Sequence, residues 1–304
     1  MTHRSTQPKK VTKAVIAAAG FGTRFLPQTK AMPKEMLPLI DKPIIQYVVE
    51  ELVAAGIKDI IIVGSGTKRA IEDHFDTPSE ELLVNLRAGG QKKKHLLEQV
   101  SAIADMANFV YVRQKGPYGN ATPVLCAAHL IGDEPFVYSF ADDFFVAQPG
   151  RTAQMIETFN TYGGSILACK TIVEDKEYDK FGVVSGNRLD AVTLQVETVI
   201  EKPGKADAPS DLATVSGYLF QPEIVGYIER AAKSHSQGEL MVQPIMQQMI
   251  HDGFHFYARA IQNGTFYDTG DKLEYLKTAV EFGLRHNDLG KPLREHLEKL
   301  LKEM

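Results

Sequence analysis

Residues Lys13 to Pro43 read KAVIAAAGFGTRFLPQTKAMPKEMLPLIDKP, and this stretch decides the fold. It begins with an uninterrupted apolar run over 14–19, which is typical of a strand buried on both faces of a parallel sheet. The run ends at Gly20-Phe21-Gly22-Thr23-Arg24, where two glycines permit a tight turn and a close approach of the backbone to a ligand. Free N–H groups in such a turn bind anions. The stretch therefore predicts a strand that leads into an anion-binding loop.

Cations and prolines follow the two glycines. They are Arg24, Lys30 and Lys34, interleaved with Pro27, Pro33 and Pro38. The prolines stiffen the cationic segment. This combination of glycines, cations and prolines favours a polyphosphate site over the alternative, in which the strand simply ends in a glycine turn followed by a solvated basic loop. Two familiar phosphate motifs fit poorly, because Phe25 stands where a dinucleotide fingerprint needs its third glycine and the G-x-x-x-x-G-K-[ST] pattern is absent.

Strands and helices alternate up to about residue 150. Apolar runs at 60–64, 109–113 and 136–140 predict further strands, and the stripe over 44–53 predicts a helix that Asp41 caps. This alternation favours an open, mostly parallel sheet, in which ligands bind beyond the carboxyl ends of the strands. Gly20–Arg24, Gln114 and Asp142 all follow such ends. The second half is predicted to be more antiparallel, with strands at 165–172, 182–185, 192–200, 212–220 and 255–261 and helices at 222–234, 240–251, 271–285 and 292–303.

Composition limits the classes of function. The chain has 304 residues, 44% of them hydrophobic and 24% charged, and its net charge of −4 gives no basic excess for nucleic acid. No apolar run approaches the roughly 20 residues of a membrane span, and MTHRSTQPKK lacks the hydrophobic region of a secretory signal. We therefore expect a disordered tail over residues 1–10. Cys126 and Cys169 lie in apolar segments, which favours free buried thiols in the cytoplasm over a disulfide.

The segment GFGTRFLPQTKAMPKEMLP resembles the signature loop of the sugar-nucleotidyltransferases, and its continuation IDKPIIQYVVEELVAAGI resembles the bacterial UTP–glucose-1-phosphate uridylyltransferases in particular. The resemblance runs over about residues 11–293. It implies an α/β fold of the nucleotide-diphospho-sugar transferase type, with a Rossmann-like mixed, mostly parallel central sheet flanked by helices. It also implies one nucleotidyltransferase domain over 11–293, with a nucleotide-binding half at 11–150 and a sugar-binding half at 151–270, followed by C-terminal helices at 271–304.

The resemblance assigns roles to residues on the nucleotide side. Arg24, Lys34 and Asp142 would be catalytic. The nucleotide would be bound by Ala19, Gly20, Gly22, Thr23, Glu35, Gln114 and Gly119. An amide such as that of Gln114 can both donate to and accept from a pyrimidine edge. The loop over 119–123 reads GNATP instead of the family's usual continuation, so uracil and thymine both stay open as the base.

The same resemblance assigns roles to carboxylates and to residues on the sugar side. Asp142, which precedes Asp143 at a strand end, and Asp268 would be ligands of Mg²⁺; without the nucleotide loop, an exposed pair of turn aspartates would be the alternative. Gly182, Glu201 and Lys202 would bind the sugar phosphate. The segments 216–218 and 238–244, SGY and GELMVQP, depart from the family pattern on this side.

No arrangement of residues for covalent catalysis stands out, since the nine histidines are scattered. The resemblance implies that UTP and glucose 1-phosphate give UDP-glucose and pyrophosphate by direct displacement in a homodimer or homotetramer, with no membrane partner. The alternatives are a dTTP-dependent thymidylyltransferase, a transferase for another sugar 1-phosphate, and a catalytically silent sensor of sugar nucleotides.

Overall fold

The computed structural model describes residues 9–304. The disordered tail expected over 1–10 lies outside the described residues except for its last two. Both of these are exposed, and Lys9 Nζ donates to the carbonyl of Asp133 at 2.6 Å.

Within this range the chain forms thirteen strands and eleven α-helices. The strands are β1 (Lys13–Ala17), β2 (Pro38–Leu39), β3 (Lys42–Pro43), β4 (Asp59–Gly64), β5 (Asn108–Arg113), β6 (Phe136–Phe140), β7 (Asp143–Ala147), β8 (Ser165–Thr171), β9 (Gly182–Arg188), β10 (Thr193–Glu201), β11 (Leu212–Phe220), β12 (Phe256–Ala260) and β13 (Gly264–Asp268). The helices are α1 (Ile44–Ala54), α2 (Arg69–Phe75), α3 (Glu80–Ala88), α4 (Lys94–Ala104), α5 (Thr122–Ile131), α6 (Arg151–Tyr162), α7 (Gly204–Asp207), α8 (Glu223–Ser234), α9 (Val242–His251), α10 (Lys272–Arg285) and α11 (Gly290–Glu303).

Nine strands form one sheet in the order β5-β4-β1-β6-β11-β8-β12-β10-β9. Strands β5, β4, β1 and β6 pair in parallel, as do β8 and β12, whereas β11 and β10 are antiparallel to their neighbours. Seven of the nine strands therefore run in the same direction. This mixed, mostly parallel sheet with flanking helices confirms the predicted α/β fold, whereas the domain boundary near residue 150 stays a prediction.

Strand β1 is buried on both faces, as its apolar run predicts. Val15 packs into a core cluster that includes residues of α5, α8 and α9. Ala14 and Ile16 pack into a second cluster, on the other face, that includes residues of α1 and α6. The apolar side chains that follow Lys13 in the strand thus fill two layers at once, and β1 is fixed in the centre of the sheet.

The predicted start of α1 is wrong. Pro43 occupies the capping position, and no side chain caps the helix. Lys42 and Pro43, the two residues before the helix, form β3, which pairs with β2. The Ile44 N–H donates to the carbonyl of Leu37 at 3.1 Å. Because this short hairpin delivers the chain to the helix in an extended conformation, Asp41 lies two residues before the capping position and caps nothing.

A second pair of strands that the sequence did not predict joins distant parts of the chain. Strand β7 pairs with β13 in antiparallel register, with Asp143 opposite Asp268. The two cysteines are free, as predicted, but only Cys169 is fully buried and Cys126 is half-buried. No helix within residues 9–304 combines the length and the apolarity that crossing a bilayer would require.

Candidate active site

A cleft of about 650 Å³ opens beyond the carboxyl ends of β1, β5 and β6. Eight residues that the sequence predicts for the site lie in its wall: Ala19, Gly20, Thr23, Lys34, Glu35, Gln114, Gly119 and Asp142. The carboxyl ends of parallel strands meet at one edge of a sheet, and this brings together segments that are more than 100 residues apart. The roles of these residues remain predictions, whereas their convergence is an observation.

The loop after β1 is shaped by Gly22. Its φ of 64° is in the left-handed region, and a Cβ there would lie 3.1 Å from Cγ2 of Thr29 and 3.2 Å from Cβ of Lys34. The Thr29 hydroxyl donates to the Gly22 carbonyl at 2.7 Å. Only glycine has both the conformational freedom and the small size for this position, so Gly22 supports the loop without itself lining the cleft.

Lys34 and Asp142 form an ion pair in the cleft. Burial by itself lowers the pKa of Lys34, but attraction to Asp142, and secondarily to Glu35, raises the pKa above its ordinary value. The ammonium therefore stays charged in a half-buried position. Nζ of Lys34 lies 3.7 Å from the point that a Cβ on Gly20 would occupy. This charge therefore lies against the glycine loop.

Asp142 and Asp268 converge on Gly270. A Cβ on Gly270 would lie 2.8 Å from Oδ2 of Asp142 and 3.2 Å from Oδ1 of Asp268. The Thr269 hydroxyl donates to the Asp142 carbonyl at 2.6 Å, and Nη1 of Arg24 donates to the Gly270 carbonyl at 3.3 Å. The pairing of β7 with β13 thus places Asp268 beside Asp142, and Arg24 contacts the backbone next to both carboxylates. Of these three residues only Asp142 lines the 650 Å³ cleft.

This convergence fits a divalent cation. Burial raises the pKa of Asp268, the Gly270 N–H opposes the rise, and the Asp142 carboxylate adds to it. Within residues 9–304 no three His, Cys, Asp or Glu side chains are arranged to enclose a metal by themselves. Two carboxylates near a glycine loop that is predicted to bind phosphate fit a cation such as Mg²⁺, which keeps several waters and binds phosphate oxygens as well.

Asp143 points away from the cleft into the protein. Burial, then Asp142, then Asp268 raise its pKa to about 7. Its Oδ1 has no hydrogen-bond partner, and its carbonyl accepts from the Ser216 hydroxyl at 3.2 Å. Of the two adjacent aspartates, only Asp142 lies in the lining of the cleft, and its role as a metal ligand stays a prediction.

Glu35 forms a buried ion pair in the cleft wall. Its Oε2 accepts from Nζ of Lys68 at 2.8 Å, while its Oε1 has no partner. Burial raises the pKa of Glu35, and the charges of Lys68 and Lys34 oppose that rise. Lys68, from the turn before α2, was not recognised in the sequence, because its partner lies 33 positions earlier.

The segment between β5 and α5, which is predicted to contact the base, forms another side of the cleft. Gln114 lies in the cleft wall, and its N–H donates to the Gly64 carbonyl at 2.8 Å. Gly119 has a φ of 129°, and a Cβ there would lie 2.2 Å from the carbonyl oxygen of Leu240. A glycine is required here because the backbone of Leu240 packs directly on this loop.

The predicted sugar residues lie together, but outside the lining of the 650 Å³ cleft. Gly182 opens β9 opposite Glu201, the last residue of β10. Oε2 of Glu201 is 3.1 Å from the point that a Cβ on Gly182 would occupy. Lys202 follows in a left-handed conformation with φ 47°, and its Nζ lies 3.9 Å from Oε1 of Glu201.

Sequence reasoning missed an aromatic pair at the mouth of the cleft. Phe21 and Tyr118 are exposed, and their ring centroids lie 5.6 Å apart. Each is next to a predicted glycine, which is the one signal that could have identified it. Other lining residues that were not predicted are Ala17, Asn120, Pro123, Phe140, Gly238 and Glu239.

Comparison with known proteins gives a consistent picture. The family model described as nucleotidyl transferase matches residues 13–282. Two Bacillus subtilis (strain 168) proteins are similar over nearly their whole length: the UTP–glucose-1-phosphate uridylyltransferase YngB, 39% identical over 97% of each chain, and a UTP–glucose-1-phosphate uridylyltransferase, 41% identical over 97% of this chain and 99% of the relative.

Solved structures agree with the sequence relatives. The UDP-glucose pyrophosphorylase of Acinetobacter baumannii superposes with a TM-score of 0.85 at 31% identity, over 96% of this chain and all of that one. A UDP-glucose pyrophosphorylase complexed with UDP-glucose gives 0.79 at 33% identity, over 90% of this chain and 98% of the other. The match to the family model and the level of identity to its members lead to one conclusion: the chain belongs to the nucleotidyl transferase family.

Proposed function

We propose that this chain transfers the uridylyl group of UTP to glucose 1-phosphate, giving UDP-glucose and pyrophosphate. The observation that carries the proposal is the cleft in which the glycine loop, Lys34 and Asp142 face the base-side residues Gln114 and Gly119. Relatives named UTP–glucose-1-phosphate uridylyltransferase, and a similar structure from Acinetobacter baumannii solved with UTP bound, support the choice of substrates.

The reaction is a single displacement. A phosphate oxygen of glucose 1-phosphate attacks the α-phosphorus of UTP, a P–O bond to that phosphorus forms, and the bond from the α-phosphorus to the bridging oxygen breaks as pyrophosphate leaves. The attacking phosphate is already anionic, so the step needs no strong base. Catalysis then consists of positioning the two substrates and neutralising their charge.

The side chains divide this work. Arg24, near Gly270, offsets charge on the leaving pyrophosphate, and Lys34 binds phosphate oxygens at the reacting centre. Lys202 holds the phosphate of the sugar, with its ammonium beside Glu201. Asp142 and Asp268 would hold Mg²⁺, which when bound neutralises phosphate oxygens of both substrates.

A release assay for pyrophosphate tests the substrates. Purified protein is supplied with UTP, dTTP, CTP, ATP or GTP against the 1-phosphates of glucose, galactose and mannose, with Mg²⁺ or with EDTA. We expect the highest kcat/KM for UTP with glucose 1-phosphate, and no release in EDTA. A preference for dTTP would instead support the thymidylyltransferase, and a preference for another sugar would correct the acceptor.

The same assay separates the enzyme from a silent sensor. Binding of UDP-glucose by calorimetry without pyrophosphate release for any pair would identify a sensor and overturn the proposed reaction.

The location in the cytoplasm, which was expected from the unpaired cysteines, remains part of the proposal.

Self-association in solution is a further part of the proposal. Helix α10 carries Leu273, Leu276 and Val280 at helical spacing, with 58%, 59% and 40% of their surfaces exposed. An exposed apolar stripe of this kind is typical of an interface. We expect light scattering after size exclusion to give the mass of a dimer or tetramer, and the double variant Leu273→Asp/Leu276→Asp to give a smaller species. A monomeric wild-type protein would contradict this part.

A further inference from the structure

Two aromatic rings from distant parts of the chain meet in the wall of the 650 Å³ cleft. Phe21 belongs to the loop after β1, and Tyr118 belongs to the segment between β5 and α5. Their ring centroids lie 5.6 Å apart, and the ring planes are tilted by 60°. This distance is within the range of a contacting aromatic pair, so the two rings form one continuous aromatic surface at the mouth of the cleft.

Most of this aromatic surface is exposed. Phe21 and Tyr118 are each 63% exposed, although burial of an aromatic ring is strongly favourable. Contact between the two rings therefore covers only a small part of each. Ala17, Pro123 and Phe140 add further apolar surface to the same cleft, so a flat ligand in the cleft has apolar groups to pack against.

The loops that carry the rings are held by other contacts. The Thr29 hydroxyl donates to the carbonyl of Gly22, next to Phe21, at 2.7 Å. The Leu240 N–H donates to the Tyr118 carbonyl at 2.6 Å. Since the backbone is fixed beside each ring, the contact between the rings is not needed to shape either loop, and an exposed pair in this place favours a role in binding.

Phe21 also has space to adjust to a ligand. Its side chain lines a second cavity of about 340 Å³, which shares Gly20 and Thr23 with the cleft. A mostly exposed ring that borders two cavities can turn without displacing buried groups. The aromatic surface can therefore fit itself to a molecule that enters the cleft.

A nucleobase is the ligand that suits this surface. Gln114 and Gly119, which are predicted to contact the base, line the same cleft, and Gly119 directly follows Tyr118. Hydrogen bonds reach only the edge of a base, whereas its faces pack on aromatic side chains. The cleft thus offers polar groups for the edge of a base and aromatic rings for its face.

We propose that Phe21 and Tyr118 bind the face of the nucleotide base and supply affinity for the nucleotide without choosing between uracil and thymine. Every base has a π face, so the choice is left to groups such as Gln114 that contact the edge. The inference rests on the proposed function and deepens it, because it assigns a binding role to two residues outside the predicted site.

Fluorescence tests the contact without turnover. The chain contains no tryptophan, so a single introduced indole reports on its own surroundings, and a base packed on it quenches its emission. In Tyr118→Trp we expect quenching by UTP with Mg²⁺ but not by tripolyphosphate with Mg²⁺, which has no base. The control is Leu189→Trp, an exposed position at the end of the β9–β10 hairpin opposite Glu201, where UTP should have no effect.

Calorimetry measures the affinity that the rings supply. Packing of a base on aromatic side chains affects binding by about tenfold, so Phe21→Ala/Tyr118→Ala should raise the Kd for UTP about tenfold. The Kd for tripolyphosphate and the ratio of the Kd values for dTTP and UTP should change by less than about twofold. Tyr118→Phe, which keeps the ring, should regain most of the affinity that Tyr118→Ala loses. In the pyrophosphate assay the KM for UTP should rise, while the KM for glucose 1-phosphate stays within about threefold.

The outcomes separate this inference from the proposed reaction. An unchanged Kd for UTP, or an equal loss of affinity for tripolyphosphate, would overturn the inference, as would equal quenching by UTP and tripolyphosphate. If thermal melting shows that the double variant is unfolded, the two single alanine variants replace it with the same expectation. A wild type that binds UTP but releases no pyrophosphate would overturn the proposed reaction alone, because both titrations test the base contact without catalysis. A wild type that does not bind UTP would overturn both.

Discussion

Replacing Asp142 by asparagine is expected to lower kcat for UDP-glucose formation by a factor on the order of 10² or more. Asparagine keeps the size of the side chain and can still accept from Lys34, but it carries no charge. The loss follows because Asp142 lines the cleft together with Gly20 and Lys34, and because its carboxylate and that of Asp268 both lie close to Gly270. A single carboxylate would then remain to hold a cation that already retains several waters.

Steady-state pyrophosphate release as a function of Mg²⁺ concentration measures this effect. We expect the Mg²⁺ concentration for half-maximal rate to rise in the variant as well as kcat to fall. The matched control is Asp133→Asn, an exposed aspartate before the opposite end of β6, which should behave as wild type. If Asp142→Asn kept kcat within about threefold of wild type, neither the metal assignment nor the catalytic role of Asp142 would stand.

Replacing Arg151 by methionine is expected to lower the free energy of unfolding by about 3–5 kcal/mol. Arg151 is the largest fully buried side chain, with 1% of its surface exposed. Its guanidinium contacts Oε2 of Glu51 at 2.8 Å, the hydroxyl of Ser139 at 3.0 Å and the hydroxyl of Ser216 at 2.8 Å. Methionine leaves the Glu51 carboxylate buried without its cation, and an unpaired buried charge is strongly destabilising.

Urea unfolding monitored by circular dichroism gives the free energy of unfolding for this comparison. The exposed pair of Arg87 and Glu80 provides the control, since Arg87→Met should cost less than about 1 kcal/mol. The double variant Arg151→Met/Glu51→Met should recover part of the loss, because it removes both charges together. Equal effects of Arg151→Met and Arg87→Met would show that the buried pair does not support the fold.

Arg151 also contacts the bulge of β11. It donates to the carbonyl of Ser216, a residue with a left-handed φ of 64° that precedes Gly217 at the bulge of β11. A Cβ on Gly217 would lie 2.1 Å from the Tyr138 carbonyl oxygen. The departure from the family pattern at 216–218 therefore coincides with a place where the backbones of β11 and β6 approach too closely for a side chain.

Local patterns in the sequence were sufficient to predict the central strand of the sheet and the turn that follows it. The apolar run of β1 required burial on both faces, and the glycines after it required a turn at the carboxyl edge of the sheet. Cations spaced among prolines predicted that this turn binds a polyphosphate. These features depend on a residue and its near neighbours, so composition and periodicity express them directly, and the resemblance to a family added the carboxylates and the sugar residues.

Tertiary structure alone decided how the distant pieces meet. Asp268 reaches Asp142 only because β13 pairs with β7 in a register that places it opposite Asp143. Leu240 packs on Gly119, and Gln243 accepts from Asn120, through contacts between segments more than 100 residues apart. Such pairings depend on which surfaces bury each other in the completed fold rather than on any local propensity. The stretch from Lys13 to Pro43 thus determined a buried strand followed by a glycine loop with the features predicted for phosphate binding, and the packing of the second half around it decided which carboxylates, amides and cations lie near that loop.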